Sequence, residues 1–462
     1  MTMPRLLALL ITLAFVFCLL REDAVSRPRL SAALWIPLVW IFVRGSRPVS
    51  FWFGGGLTLH TTADYLEGSP MDAFLAFALM VAALAVLLHR RLDWGDLISR
   101  NKALLTVFLY FGISTLWSDY TWVSFKRWTK ECGNLLILLV LLTESDPVEA
   151  IKTVFVRCAY ICFPLSVTVY KYYPAVGRTY GPGGFGELGG ITGGKNGLGE
   201  ICVAFGLILL WELLEIWEGK IHTVDRKGIY ARLAVLGIGL WLLIACDSKT
   251  SQICGILGAG VLLSNRIPLV KRTPGLVVVF GLVILPLVLL GVMAYGVGDS
   301  MLGTLGRDAT FTHRTTIWAL VLSQQTNPVI GAGFYSFWLG ERGQAIWDNL
   351  VNANITTAHS GYIETYLDGG YIGVVVLVAG LVAIGWKLSR EFLSGTDFGR
   401  VRFMSFVMII VLNCTETAYF RLTPLWLMFL IMALDVPGHA TEPVATEDEA
   451  VAALTPEVLY DS

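Results

Sequence analysis

Two side chains in a polar stretch between apolar segments, residues 298–359, are suited to chemistry on an anionic substrate. Thr312 can cap a helix, and on that helix Arg314 and Trp318 stand four positions apart and share one face. Arginine suits phosphate because its planar guanidinium forms two parallel hydrogen bonds to phosphate oxygens and stays charged. His359 stands at the mouth of the next apolar segment, where a histidine can accept a proton near neutral pH. We therefore take this stretch as the candidate active region.

Both residues also have a purely structural interpretation. The helix that carries Arg314 is predicted to lie on the membrane with Leu320 and Val321 buried below it, and in the structural interpretation the arginine turns outward to lipid headgroups and not inward to a substrate. A lone histidine such as His359 is more often a hydrogen-bonded structural residue than a base. Glu364, five residues later, can orient the imidazole only if the chain bends between them. The sequence leaves these alternatives open.

A second candidate segment, residues 176–199, is rich in glycine. Glycine lets the backbone approach a ligand closely, and a helix predicted from about Gly197 offers free N–H groups to an anion. Arg178, Lys195 and Asn196 lie in this segment, and Lys195 adds a formal charge beside the helix start. The alternative is a flexible loop followed by an ordinary helix start.

A shorter polar turn, residues 245–254, contains several hydroxyl side chains and Lys249. A Ser or Thr here is predicted to cap the next helix by accepting its free N–H groups. Lys249 can face an anion, but the capping role alone accounts for the hydroxyls. We therefore favour a structural interpretation of this turn.

The composition indicates a membrane protein. Of 462 residues, 55% are hydrophobic and 15% are charged, whereas about a quarter are charged in soluble domains. A span needs about 20 mostly apolar residues, which predicts an all-α polytopic integral membrane protein with about 11–13 transmembrane helices. The candidate spans are 6–20, 30–44, 70–88, 103–117, 132–143, 151–170, 197–217, 229–246, 251–263, 275–297, 362–386, 401–414 and 420–435.

The basic residues of the short loops predict the orientation. Loops at 90–102, 220–227, 266–272 and 387–402 fall on one side, which the excess of Lys and Arg makes cytoplasmic. The long loop, residues 298–358, then lies outside. Other basic residues also fall on the outer side, so an anionic substrate, lipid phosphates or pairing with carboxylates must hold them there. They are Lys126, Arg127, Lys130, Lys171, Arg178, Lys195, Lys249, Arg307, Arg314 and Arg342. Arg44 and Arg47 also fall on the outer side under this count, which leaves the orientation of the first two spans open.

The chain divides into one membrane-embedded domain, residues 1–435, and a tail, residues 436–462. The tail contains six acidic residues and no Lys or Arg, and without it the net charge of −1 becomes +5. We expect it to be disordered and cytoplasmic. The eight cysteines form no C-x-x-C pair and no cluster with histidine, and no D-x-D pair lies on the predicted outer side. The sequence therefore predicts neither a metal nor another cofactor.

The order of several motifs resembles the O-antigen ligase/polymerase superfamily, and particularly its exopolysaccharide-polymerase branch. The resemblance covers a motif core at residues 116–373. The matching pieces are LWSDYTWVSFKRW at 116–128, GGITGGKNGLGE at 189–200, DSKTS at 247–251, GRDATFTHRTTIW at 306–318, NPVIGAGFYSFW at 327–338 and AHSGYIETYLDGGYIG at 358–373.

The resemblance implies an inner-membrane glycosyltransferase that works without a metal and has its active site in the periplasm, so the long loop would be periplasmic. The donor would be a saccharide linked to undecaprenyl diphosphate. An acceptor glycan would attack its anomeric carbon, and the lipid diphosphate would leave. The product would be exopolysaccharide or O-antigen repeat units. Other partners would be membrane lipids and a flippase and chain-length copolymerase of the same pathway, with no nucleic acid.

By the same resemblance, His359 takes the position of the proposed base and Arg314 that of an arginine proposed to contact the diphosphate. We add six further residues as substrate-binding candidates, namely Arg178, Lys195, Asn196, Arg307, Lys249 and Glu364. The chain departs from the family pattern at Gly194, where a His is common, and at His313, where a Gly is common. His313 is therefore a rival to His359 as the base.

Three other functions remain alternatives. An O-antigen ligase would use the same donor and transfer the glycan to a lipid or another acceptor. A non-enzymatic transporter of lipid-linked glycans would favour charged residues within the spans and symmetric halves, and neither is evident. A non-catalytic assembly subunit is a third alternative.

Overall fold

A computed structural model of the protein describes six ranges of the chain and is 77% helical. Arg307 and the acidic tail beyond residue 436 lie outside these ranges, so the tail stays a prediction. The described ranges are 3–27, 30–54, 69–180, 186–288, 310–349 and 355–436.

The longer helices follow one another in chain order. They are α1 (Arg5–Ser26), α2 (Trp35–Arg44), α3 (Pro70–His89), α4 (Trp94–Arg100), α5 (Lys102–Ser114), α6 (Thr121–Leu142), α7 (Pro147–Tyr172), α8 (Lys195–Trp217), α9 (Arg226–Ala245), α10 (Lys249–Leu263), α11 (Gly275–Val288), α12 (Thr310–Leu322), α13 (Gly340–Asp348), α14 (Gly361–Leu393), α15 (Asp397–Thr415) and α16 (Pro424–Ala433). Shorter helical turns occur at Val49–Trp52, Pro174–Gly177 and Pro268–Arg272 and, in 3-10 form, at Ala32–Leu34, Thr115–Trp117 and Ser264–Arg266. Strands β1 (Arg178–Tyr180) and β2 (Gly186–Leu188) form an antiparallel hairpin in which Arg178 pairs with Leu188.

The predicted fold class, an all-α polytopic membrane protein, is confirmed. Among the described residues, six helices are long and apolar enough to cross a membrane, namely α3, α7, α8, α9, α14 and α15. Shorter apolar helices, among them α2, α11 and α16, accompany them. α7, α8 and α15 are mostly buried in the centre, whereas α3 and α9 turn most of their surface outward.

One predicted span differs from the structure. The apolar run at 132–143 is the second half of the longer helix α6. Lys126, Arg127 and Lys130, which the sequence predicts to lie on the outer side, are therefore helical and do not lie in a loop. Hydropathy detects the apolar half alone, because the first half of α6 alternates aromatic and basic side chains.

Helix α14 is interrupted at Gly370, whose φ of 61° is in the left-handed region. A Cβ there would collide with the backbone of Val329. The N–H groups of Tyr371 and Ile372, which the interruption frees, donate instead to the carbonyls of Pro328 (2.9 Å) and Val329 (3.1 Å). Irregular backbone among membrane helices needs such protein partners. The NPVIGAG motif is thus fixed against α14.

The long loop has a small core of its own. Val321 of α12 is fully buried with Phe337, Trp338 and Trp347, and Ile317 and Leu320 pack against them. The apolar face of α12 therefore packs on protein, where the sequence analysis placed it on the membrane. This packing holds α12 and the start of α14 together.

Candidate active site

The carboxylate of Glu416, just after the end of α15, brings together side chains from three motifs. Its Oε1 accepts hydrogen bonds from Arg314 Nη2 (2.6 Å) and Asn196 Nδ2 (2.7 Å). Its Oε2 lies 3.3 Å from His359 Nδ1. Asn196 and Glu416 are 220 positions apart in the chain. We call these four residues the Glu416 cluster.

The backbone around His359 directs it to this cluster. His359 has a φ of 50°, so the chain turns sharply before α14 begins. Ser360 caps α14 by accepting from the N–H of Ile363. The N–H of Gly361 donates to the carbonyl of Glu416 (3.1 Å). His359 and Glu416 are therefore joined through the main chain as well as through their side chains.

Two side chains on one face of helix α12 form hydrogen bonds to the Glu416 cluster and to the residue before His359. Arg314 reaches Glu416, and Trp318 Nε1 donates to the carbonyl of Ala358 (2.8 Å). The shared face was predicted from the spacing of Arg314 and Trp318. As a result, the helix that carries Arg314 is hydrogen-bonded to the segment that carries His359, and both side chains reach Glu416.

Asn196 lies in the first turn of α8 and is held by the turn at 245–254. Ser248 Oγ donates to Asn196 Oδ1 (3.1 Å) and is 3.0 Å from Ser251 Oγ. The capping prediction was wrong for this turn, because Ser248 stands at the start of α10 but its side chain makes no capping hydrogen bond. Gly199 allows the close approach, since a Cβ there would overlap Ser251. The turn therefore contributes to the cluster through Ser248.

The cluster is partly open to solvent. The side chain of Glu416 is 10% exposed, that of Arg314 is 19% exposed and that of His359 is 34% exposed. A ligand can therefore reach the more exposed Arg314 and His359, while the carboxylate of Glu416 stays largely shielded from water. Such a site strengthens electrostatic contacts relative to bulk water.

The other cationic candidates make different contacts. Lys195 Nζ pairs with Glu187 Oε1 of β2 (2.8 Å), beside Asn196 but on an exposed surface. The guanidinium of Arg178 in β1 stacks over the ring of Tyr170 (4.8 Å). Both flank the start of α8, and neither has a described contact with Glu416.

Arg47, which the count of basic residues predicts to lie on the outer side, supports the glycine-rich segment. Its Nη2 donates to the carbonyl of Val176 (2.9 Å), and its N–H donates to that of Ile191 (3.1 Å). Burial lowers the pKa of Arg47 from its ordinary value. This arginine therefore has a structural task at the base of the segment.

Three further candidates have no described contact with the Glu416 cluster. Lys249 points away and pairs with Asp247 on an exposed surface. Arg307 and the side chain of His313 lie outside the described residues. The choice between His313 and His359 as the base therefore stays a prediction.

Glu364 belongs to a separate buried cluster. It pairs with Arg421 Nη2 (2.7 Å), and Trp338 Nε1 donates to both of its oxygens (3.1 Å). The bend that was required between His359 and Glu364 is present, but it turns the imidazole toward Glu416. Glu364 also accepts from the N–H of Ala358 (2.5 Å), so it supports the loop that precedes His359.

Sequence reasoning missed Glu416 altogether. This residue lies beyond the motif core at 116–373, between two apolar runs, where a single glutamate gives no pattern of its own. A signal was present in its position, because an acidic residue at the boundary of a span often has a charged partner. Within the described ranges, no group of three or more His, Cys, Asp and Glu side chains is arranged to hold a metal.

One curated protein is similar to this chain over much of its length. The chain is 22% identical over 319 residues to the Exopolysaccharide production protein ExoQ of Rhizobium meliloti (strain 1021). The match covers 65% of this chain and 69% of that protein. It confirms the resemblance to exopolysaccharide polymerase/ligase-like proteins. No family model matches the chain.

Proposed function

We propose that this protein is a membrane glycosyltransferase that extends exopolysaccharide from a saccharide carried on undecaprenyl diphosphate. It would work at the periplasmic face of the inner membrane. The observation that supports this most is the convergence of Asn196, Arg314 and His359 on Glu416. These residues come from separate motifs, and together they offer a base and a cation in one partly open site.

The chemistry needs both groups at once. An acceptor hydroxyl must lose its proton as its oxygen bonds to the anomeric carbon of the donor, and His359 is the proposed acceptor of that proton. The bond from the anomeric carbon to the diphosphate oxygen breaks, and its electron pair leaves with the diphosphate. Arg314 is placed to stabilise that developing charge through its guanidinium. Lys195 and Arg178, which flank the start of α8, would extend the cationic surface.

The name of the similar protein favours polymer formation. It is described as an exopolysaccharide production protein, and a polymerase makes such a product directly. A ligase would use the same donor and the same cluster, and it would differ in the acceptor. The chemical identity of the product therefore separates these two reactions.

The test compares His359→Ala and Arg314→Ala with a matched arginine control. Arg342 lies in the same loop but pairs with Asp119 (3.1 Å) on the surface, so Arg342→Ala removes an arginine without touching the cluster. A general base contributes about 10²- to 10⁴-fold to a rate. At equal protein level in the membrane, we expect polymer to fall by about 100-fold or more in the first two variants and to stay normal in Arg342→Ala.

The lipid-linked intermediate adds a second readout. Loss of a polymerase should leave single repeat units on the lipid, accessible from the periplasm. Loss of a transporter should leave them on the cytoplasmic side. Normal polymer from both His359→Ala and Arg314→Ala, or intermediates confined to the cytoplasmic side, would overturn the proposal.

A further inference from the structure

We infer that Glu416 is a positioning residue that sets the base and the phosphate-binding cation for the same reaction. This inference rests on the proposed function and goes beyond it, because Glu416 lies outside every motif that pointed to that function. One carboxylate holds His359 with one oxygen and Arg314 with the other. A single side chain therefore connects the two groups that the transfer needs.

The contact with His359 determines which ring nitrogen can act. Nδ1 faces Glu416 Oε2 at 3.3 Å, and a carboxylate accepts hydrogen bonds without donating them when it is ionised. The geometry therefore assigns the hydrogen of the neutral ring to Nδ1, which leaves the lone pair of Nε2 for the acceptor hydroxyl. When Nε2 takes that proton, the adjacent carboxylate stabilises the imidazolium that forms. The same logic explains the carboxylate of hydrolytic triads.

The contact with Arg314 determines where the cation stands. Arg314 Nη2 and Asn196 Nδ2 share Oε1 of Glu416, so the arginine is held between α12 and the start of α8. A guanidinium has five N–H donors, and one hydrogen bond to Glu416 leaves others to present to phosphate. The amide of Asn196 is held in turn by Ser248. The carboxylate is therefore fixed from three sides before a substrate arrives, as preorganised catalysis requires.

A neighbouring acid provides the matched control. Glu200 follows Asn196 by one turn of α8 and lies close enough to Glu416 for their charges to interact. It is buried, and its Oε2 has no hydrogen-bond partner among the described residues. The contacts described for Glu200 include neither His359 nor Arg314. Replacing Glu200 removes a carboxyl from the same region without removing the proposed positioning contacts.

The experiment measures initial rates of the full-length protein in membranes of defined lipid, with a synthetic polyprenyl-diphosphate saccharide as donor. The variants are Glu416→Gln, which keeps the shape and removes the charge, and Glu416→Asp, which keeps the charge and shortens the reach. We expect kcat per folded molecule to fall by at least about 10-fold and by up to about 10⁴-fold in Glu416→Gln, the larger figure being the loss when the carboxylate of a hydrolytic triad is replaced by its amide. The KM for the donor should change less, and Glu416→Asp should recover part of the loss. Glu200→Gln should keep kcat within about threefold of wild type.

A merely structural role would give a different pattern. In that case the amount of folded protein would fall while kcat per folded molecule stayed within about twofold of wild type in both Glu416 variants. That result, with His359→Ala and Arg314→Ala still inactive, would overturn this inference and leave the proposed function standing. Full activity in His359→Ala and Arg314→Ala would instead overturn the proposed function. An equal loss of kcat in Glu200→Gln would also contradict the inference, because the loss of any carboxyl group from this region would then have the same effect.

Discussion

Each end of α8 lies beside a cluster in which a carboxylate pairs with arginine, but the two clusters differ in burial. At the start of α8, Asn196 meets the Glu416 cluster, whose members are partly exposed. Near its end, Glu212 lies in a cluster whose central side chains are at most 3% exposed. Sixteen residues separate Asn196 from Glu212, which is about 24 Å along a helix. The two clusters therefore lie at opposite ends of the helix bundle.

The buried cluster connects four helices through paired charges. Glu212 of α8 accepts from Arg27 at the end of α1 and from Arg232 Nη2 of α9 (3.3 Å). Asp23 accepts from Arg27 Nε (2.9 Å) and from Arg157 Nε of α7 (2.7 Å). We call these five residues the Glu212 cluster. Its charges meet one another within the protein, so it is suited to holding helices together.

The difference shows which features point to a site. Both clusters contain a carboxylate with arginine partners, so this pairing alone does not identify chemistry. The Glu416 cluster adds an imidazole and access from solvent, and Asn196, Arg314 and His359 come from motifs on separate segments. Changes in the Glu212 cluster should therefore act on folding, and changes in the Glu416 cluster should act on turnover.

The largest effect on stability should come from Glu212→Ala. It leaves Arg27 and Arg232 with less counter-charge in a buried setting, and breaking a buried pair costs about 3–5 kcal/mol. We expect a lower thermal unfolding temperature in detergent and less protein in the membrane, with near-normal turnover per folded molecule. Arg314→Ala serves as the opposite case, with small loss of stability and large loss of turnover. Equal unfolding temperatures for Glu212→Ala and wild type would remove the distinction between the clusters.

A smaller effect should come from Gly361→Ala, which tests the backbone beside His359. A Cβ there would lie 2.6 Å from Asn413 Cγ and 2.8 Å from Tyr419 Cδ2. Such overpacking costs about 1–3 kcal/mol, and the shift should also separate His359 from Glu416. Gly206→Ala is the matched control, because a Cβ at Gly206 in α8 has no neighbour within 4 Å. Polymer formation should fall in Gly361→Ala and stay normal in the control.

The smallest effect should come from Ser248→Ala, which tests the support of Asn196. A neutral hydrogen bond contributes about 0.5–1.5 kcal/mol, which corresponds to about a 2- to 10-fold loss of kcat/KM if it is lost at the transition state. Lys249→Ala, next in the chain, removes only an exposed ion pair with Asp247 and should change kcat/KM by less than about twofold. A larger loss from Lys249→Ala than from Ser248→Ala would place the anion site at the turn instead of at Asn196.

The sequence predicted the parts of the fold and of the site that depend on local patterns. Apolar runs located the main spans, and the spacing of Arg314 and Trp318 predicted the shared face of α12. The interruption of α14 at Gly370 was not predictable, because it depends on the distant NPVIGAG segment that binds the freed N–H groups. The first half of α6 was missed because it carries too many polar side chains for a hydropathy signal.

The remaining differences at the site arise because nearness in sequence is a poor guide to nearness in space. Glu364 is five positions from His359, yet it pairs with Arg421. Glu416 is 57 positions from His359 and contacts its ring. The sequence assigned the hydroxyl of Ser248 to helix capping, and its hydrogen bond to Asn196 was therefore not predicted. Each of these contacts joins elements whose relative placement comes from helix packing.

The most direct test of the central claim is a reaction with purified components. Wild-type protein, His359→Ala and Glu212→Gln would each be placed in lipid nanodiscs with a synthetic polyprenyl-diphosphate saccharide. Mass spectrometry would then follow the free lipid diphosphate and the lengthening of the saccharide. We predict that wild type and the folded fraction of Glu212→Gln release one lipid diphosphate for each saccharide unit joined, and that His359→Ala does neither. Release and lengthening by His359→Ala at the wild-type rate would contradict the account.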